Sequence, residues 1–144
     1  MPLGLPSAVE LGALALAAAL GAMLFFSACV APLLSMRLDR DVAGRLRRAL
    51  SSADHAWGAC GSGVAAILCA GTAPAAAALS FAACLTFLSS RQALLPAIDA
   101  ARDAAMADAG SARRFRHLHR AGLAVRALEF MMLLVALLLA TAHR

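Results

Sequence analysis

The chain has no lysine and no tyrosine, and aromatic residues make up only 5% of its 144 positions. With so few rings there is no platform for stacked bases, so the formal charge of +5 is not read as a nucleic-acid footprint. Signatures of catalysis are missing too. There is no phosphate-cradling glycine loop, no G-x-S-x-G elbow and no pair of carboxylates inside an apolar segment. Cys29, Cys60, Cys69 and Cys84 lie in apolar stretches and form no C-x-x-C pair, so they read as small hydrophobes rather than disulfide partners. No H-x-x-x-H spacing occurs, and Met131-Met132 reads as packing rather than as a copper ladder.

Charge is absent from long runs. Leu11 to Met36 is uncharged for 26 residues, Ala56 to Ser90 for 35 and Phe130 to Ala142 for 13. Hydrophobic residues reach 62% and mean hydropathy +0.80, too high for an ordinary soluble domain. Leu11 to Phe26 followed by Ser27-Ala28-Cys29 faintly resembles a lipoprotein signal. However, no basic residue precedes it and Val30 to Met36 stays apolar beyond it, so cleavage is not expected.

These runs predict one all-α, integral-membrane four-helix bundle with spans near 11–36, 53–70, 75–95 and 121–142. A span needs about 20 residues. The long central run divides at Gly71-Thr72-Ala73-Pro74, where glycine and proline mark a tight hairpin. Pro32 is placed to kink the first helix. Asp41 to Leu50 reads as a separate short loop helix capped by Asp41. Asp99 to Ala109 reads as a continuation of the third helix ending at Gly110, and Ser111 as the cap of the fourth.

What charge there is has a pattern. Thirteen arginines are present, five between Arg37 and Arg48 and six between Arg91 and Arg120. Four spans put both segments on one side, which the positive-inside rule makes the cytoplasm, opposite Arg144. The expectation is a multi-pass protein of a bacterial inner membrane with both termini outside. Its arginine loops would meet anionic headgroups, and a second copy or another membrane protein is a possible partner.

Small residues recur at four-residue spacing. Ala13, Ala17 and Gly21 do so in the first helix, and Gly58, Ser62, Ala66 and Ala70 in the second, beside Gly61, Ala65 and Cys69. Such faces allow close backbone approach in lipid and predict that the second helix is central.

Few side chains can carry chemistry. His119, Gly122, Arg126 and Glu129 share one face of the fourth helix, and Arg126 can pair with Glu129 three residues on. Ionisable groups in a span often mark an ion or solute path, and the plain alternative is a structural pair. His55, His117 and His119 fall at the arginine-rich ends of the second and fourth spans. His55 and His119, with Cys60, could hold haem or copper. The plain alternative is histidines meeting headgroups.

Three stretches carry a family resemblance. Phe25-Phe26 with Val30-Ala31-Pro32-Leu33 and a run to Ala43-Gly44, then Leu95-Pro96-Ala97-Ile98, then Phe115, Leu118 and His119, resemble the motifs of the transmembrane protein 205 family and its bacterial relatives. Those relatives are the domain-of-unknown-function family numbered 4149. The resemblance covers Gly21 to Leu137. It implies a four-helix membrane protein without an established activity; the family's animal member is linked with tolerance of a platinum drug. Its wider fold neighbourhood includes copper-resistance and haem-related proteins. Gly122 and Arg126 stand where the family pattern has Ser and Asn, so a site built on those groups would be altered here.

The function expected is therefore non-enzymatic: a small membrane protein supporting transport, metal or toxicant tolerance, or complex assembly, with no resident cofactor. The alternatives are a haem- or copper-binding protein and a proton-coupled small-solute carrier.

Overall fold

The computed structural model describes residues 6–107 and 109–143, and they form an all-α bundle of four antiparallel rods. The first rod comprises α1 (Ala8–Phe25), a π-helical turn (Phe26–Val30) and α2 (Ala31–Arg37). The second is α3 (Arg40–Cys69). The third is α4 (Pro74–Ser89), a second π-turn (Ser90–Leu94) and α5 (Leu95–Ala107). A 3₁₀ turn (Ala109–Ser111) leads into the fourth, α6 (Ala112–Ala142).

Local chemistry sets these boundaries. Ser7 and Glu10 close a capping box: the Ser7 hydroxyl accepts from the Glu10 N–H, and the Glu10 carboxylate accepts from the Ser7 N–H. The hairpin falls at Ala70 to Ala73, as the glycine and proline require, and Pro74 opens α4 where its missing N–H is harmless. Each π-turn stands directly before a helix whose second residue is proline, Pro32 and Pro96. Proline cannot donate and its ring presses on the carbonyl four residues back. The backbone answers by widening, with the Ala31 N–H bonding to Phe26 O and the Leu95 N–H to Ser90 O. The expected kink at Pro32 is thus a π-turn, with a twin in the third rod.

Two further expectations change. Asp41 to Leu50 is not a separate loop helix, because α3 runs unbroken from Arg40, with Asp39 as its N-cap. Nothing between Leu50 and Ala53 breaks it, since all are helix-compatible residues. Three rods are long and apolar enough to cross a membrane: Ala8–Arg37, Pro74–Met106 and Ala112–Ala142. The second is long enough but carries Asp54 and His55 inside the segment expected to span.

The first and third rods each pack against the second and the fourth, so the four form a ring. No rod is central, contrary to the small-residue reading. The second exposes Trp57, Val64 and Ile67 on its outer side. In the first rod Ala17 and Gly21 also face outward, and Gly12, Ala13, Leu16 and Ala19 point in. The inner core away from the arginines is built of small residues, with Ala65, Cys69, Ala76, Ala83, Ala136 and Ala140 fully enclosed. Lipid supplies no hydrophobic drive between helices, so this close fit is what holds them.

Gly61 sits at a close approach of the first two rods. A Cβ there would stand 3.0 Å from Ala19 Cβ and 3.3 Å from the Ala15 carbonyl oxygen. Gly61→Leu is therefore expected to destabilise the protein in detergent by about 1–3 kcal/mol through overpacking. Gly21→Leu, facing open space, should change little. Equal melting temperatures for the two variants would refute the close approach.

Candidate functional site

The polar residues gather in the arginine-rich half of the ring, beside the two π-turns. A cavity of about 550 Å³ lies there, lined by side chains from all four rods. Its floor is Glu129, which is 0% exposed. The second π-turn turns Ser90 inward, and its hydroxyl donates to Glu129 Oε1 at 2.9 Å. Arg126 Nη1 donates to Glu129 Oε2 at 3.4 Å, three residues back on the same helix. The other end of that guanidinium, Nη2, pairs with Asp54 of the second rod. Arg126 thus joins two carboxylates from two rods, and it lies 5.9 Å over the ring of Phe87 from the third.

His55 completes the floor. Its Nδ1 lies 2.8 Å from the Ser51 carbonyl, which can only accept, so Nδ1 carries a hydrogen. That leaves Nε2 turned towards Glu129 Oε2 at 4.0 Å. The His55 ring meets Phe87 edge-on, with centroids 6.0 Å apart at 80°.

Above the floor, further ion pairs tie the rods together. Arg48 donates to both oxygens of Asp103, at 2.9 and 3.2 Å, and its Nε lies 3.8 Å from Asp99. The hydrogen bond to Asp103 holds the Arg48 guanidinium in its charged form, above its already high ordinary value. Arg102 lies 3.6 Å from Asp99 and stacks over Phe115, which in turn stacks on His119. Such partly exposed pairs add little stability singly, but they join α3 to α5, and the Arg102–Phe115 contact extends the network to α6.

Of the residues singled out from sequence, Arg126 and Glu129 do meet. His119 lines the same cavity but stacks on Phe115. His55 lines it and faces Glu129. Cys60 is exposed and not part of the lining. Among the described residues, no three His, Cys, Asp or Glu side chains converge as a metal-binding group. Asp54, Ser51, Ser90 and Phe87 were not foreseen. Asp54 could have been, as the single acid inside the expected second span. Ser90 could not, because only the π-turn brings it inward.

The family model described as domain of unknown function (DUF4149) matches residues 14–107. The chain belongs to that family. The DUF4149 match takes in both π-turns with Asp54, His55 and Ser90, and stops short of α6, which brings Arg126 and Glu129. No curated protein and no solved structure matches the chain. Family membership and the apolar rods make this a small membrane protein.

Proposed function

We propose that this DUF4149 member is a non-enzymatic, small-solute-binding transport protein of the bacterial inner membrane. In this reading all four rods cross the bilayer and the arginine-rich end lies in the cytoplasm. The observation that carries it is the enclosure of Glu129 at the floor of a cavity whose rim residues Arg47 and Arg91 are exposed. An ionisable group held inside a membrane bundle is costly and usually lies on an ion or solute path. Here it is held by Ser90 and Arg126 and faced by His55, so a charged group is fixed at the cavity floor by partners from three rods. On the far side Leu16, Ser62 and Leu133 are fully enclosed, which supports a cavity accessible from one side.

The reading is tested by ligand-induced stabilisation. A thermal-shift screen of small anions, cations and sugars on the detergent-solubilised protein should find a solute that stabilises it. Saturation to a hundred times the dissociation constant corresponds to about 2.7 kcal/mol. The same solute should shift Glu129→Gln much less. A panel that leaves the melting temperature unchanged throughout would overturn the reading.

Orientation has its own test. Eleven arginines in the two loop segments against Arg144 after the last span support an outside C-terminus. C-terminal fusions to reporters active on only one side of the membrane should report the outer side, and cytoplasmic activity would reverse the topology.

A further inference from the structure

We infer that the cavity takes an anionic amphiphile from the adjoining leaflet, its phosphate-type head held by Arg47 and Arg91 and its chain laid on the apolar wall. This rests on the solute-binding reading above and names the class of ligand. Five arginines line the cavity. Three are engaged by acids: Arg48 by Asp103 and Asp99, Arg102 by Asp99, and Arg126 by Asp54 and Glu129. Arg47 and Arg91 have no carboxylate partner among the described residues. Arg91 is nonetheless positioned, because its Nε donates to Ser52 Oγ at 3.2 Å and its terminal nitrogens stay available. Two such guanidiniums in a lining that also holds Ser51 and Ser52 suit a phosphate oxygen set.

The rest of the lining is not what a small hydrophilic anion needs. Phe26, Ala31, Leu94, Pro96, Leu123 and Val125 give the cavity an apolar side next to the arginines. The segment of the first rod beside this cavity is also lightly packed. Beyond its π-turn the first rod buries none of its residues from Ala31 to Arg37. A charged head with an aliphatic chain satisfies both halves of the lining, whereas inorganic phosphate satisfies one.

The test uses the whole protein in an uncharged maltoside detergent, with binding followed by thermal shift. The probes are decyl phosphate, inorganic phosphate and decylphosphocholine. Decyl phosphate should bind, with affinity lowered about tenfold by Arg47→Gln and again by Arg91→Gln, the loss of one charge-assisted contact each. Arg114→Gln, exposed and outside the cavity, should leave it unchanged. Leu123→Ser should weaken decyl phosphate but not inorganic phosphate. Inorganic phosphate matching decyl phosphate would overturn the amphiphile in favour of a free anion. Equal binding of decylphosphocholine, or an Arg114→Gln loss as large as the Arg91→Gln loss, would overturn recognition by these arginines. If another solute stabilises the protein and decyl phosphate does not, this inference falls alone. If nothing binds at all, the solute-binding reading falls with it.

Discussion

Arg126→Leu is expected to be the most damaging single polar substitution, lowering stability by about 3–5 kcal/mol. Arg126 is the shared counter-charge of two enclosed carboxylates: the Asp54 side chain is 7% exposed and the Glu129 side chain 0%. Without it both acids keep their desolvation cost, and Glu129 keeps only Ser90 and His55. Glu129→Leu should cost less, because Arg126 remains paired with Asp54. The double variant should recover only part of the loss, since Asp54 is then left alone. The triple variant, with Asp54→Asn added, should recover most of it. Unfolding in detergent across these variants measures the coupling. Losses that simply add from single to double to triple would show that the three groups do not act as one unit.

The three-membered form of that network marks the limit of reading along the chain. The i, i+3 spacing of Arg126 and Glu129 is a local property of one helix, so sequence exposes it directly. The apolar runs and the Gly71–Pro74 break are equally local, and they place four rods and their hairpin. The contact from Arg126 to Asp54 crosses 72 positions and depends on how two rods are rotated. The contact from Ser90 to Glu129 depends on a π-turn, and helical periodicity assumes 3.6 residues per turn throughout. The same holds for packing. Four-residue repeats mark Ala17 and Gly21 as readily as Ala13, but of the three only Ala13 is buried in the bundle. Small residues in a membrane helix allow close approach without stating which side makes it. In a ring of four rods every helix also keeps a lipid-facing side, so small residues all round the second rod did not make it central.

Phe87 joins the packed half of the bundle to the charged half, and it should matter to both. It is 1% exposed, with Arg126 over its face and His55 at its edge. Phe87→Ala should lower stability by about 3 kcal/mol, the low end for such truncations in soluble cores, because in lipid the loss is mainly of packing contacts. It should also loosen Arg126 and His55, so ligand-induced stabilisation should weaken along with the fold. Phe87→Leu separates the two effects, since it keeps most of the volume and removes the ring face. Its stability should stay closer to the parent while ligand stabilisation still falls. Gly58 supplies the decisive control. A Cβ there would lie 2.6 to 2.9 Å from three atoms of the Phe87 ring, and the ring is too enclosed to swing away. Gly58→Ala should therefore destabilise the parent, whereas Gly63→Ala, meeting only Cys84 Sγ at 3.4 Å, should be nearly neutral. In the Phe87→Leu background the Gly58→Ala penalty should shrink, because the atoms it strikes are gone. A penalty of the same size in both backgrounds would show that Gly58 is small for some reason other than this ring. Phe87 would then not be the element that fixes the geometry of Arg126 and His55.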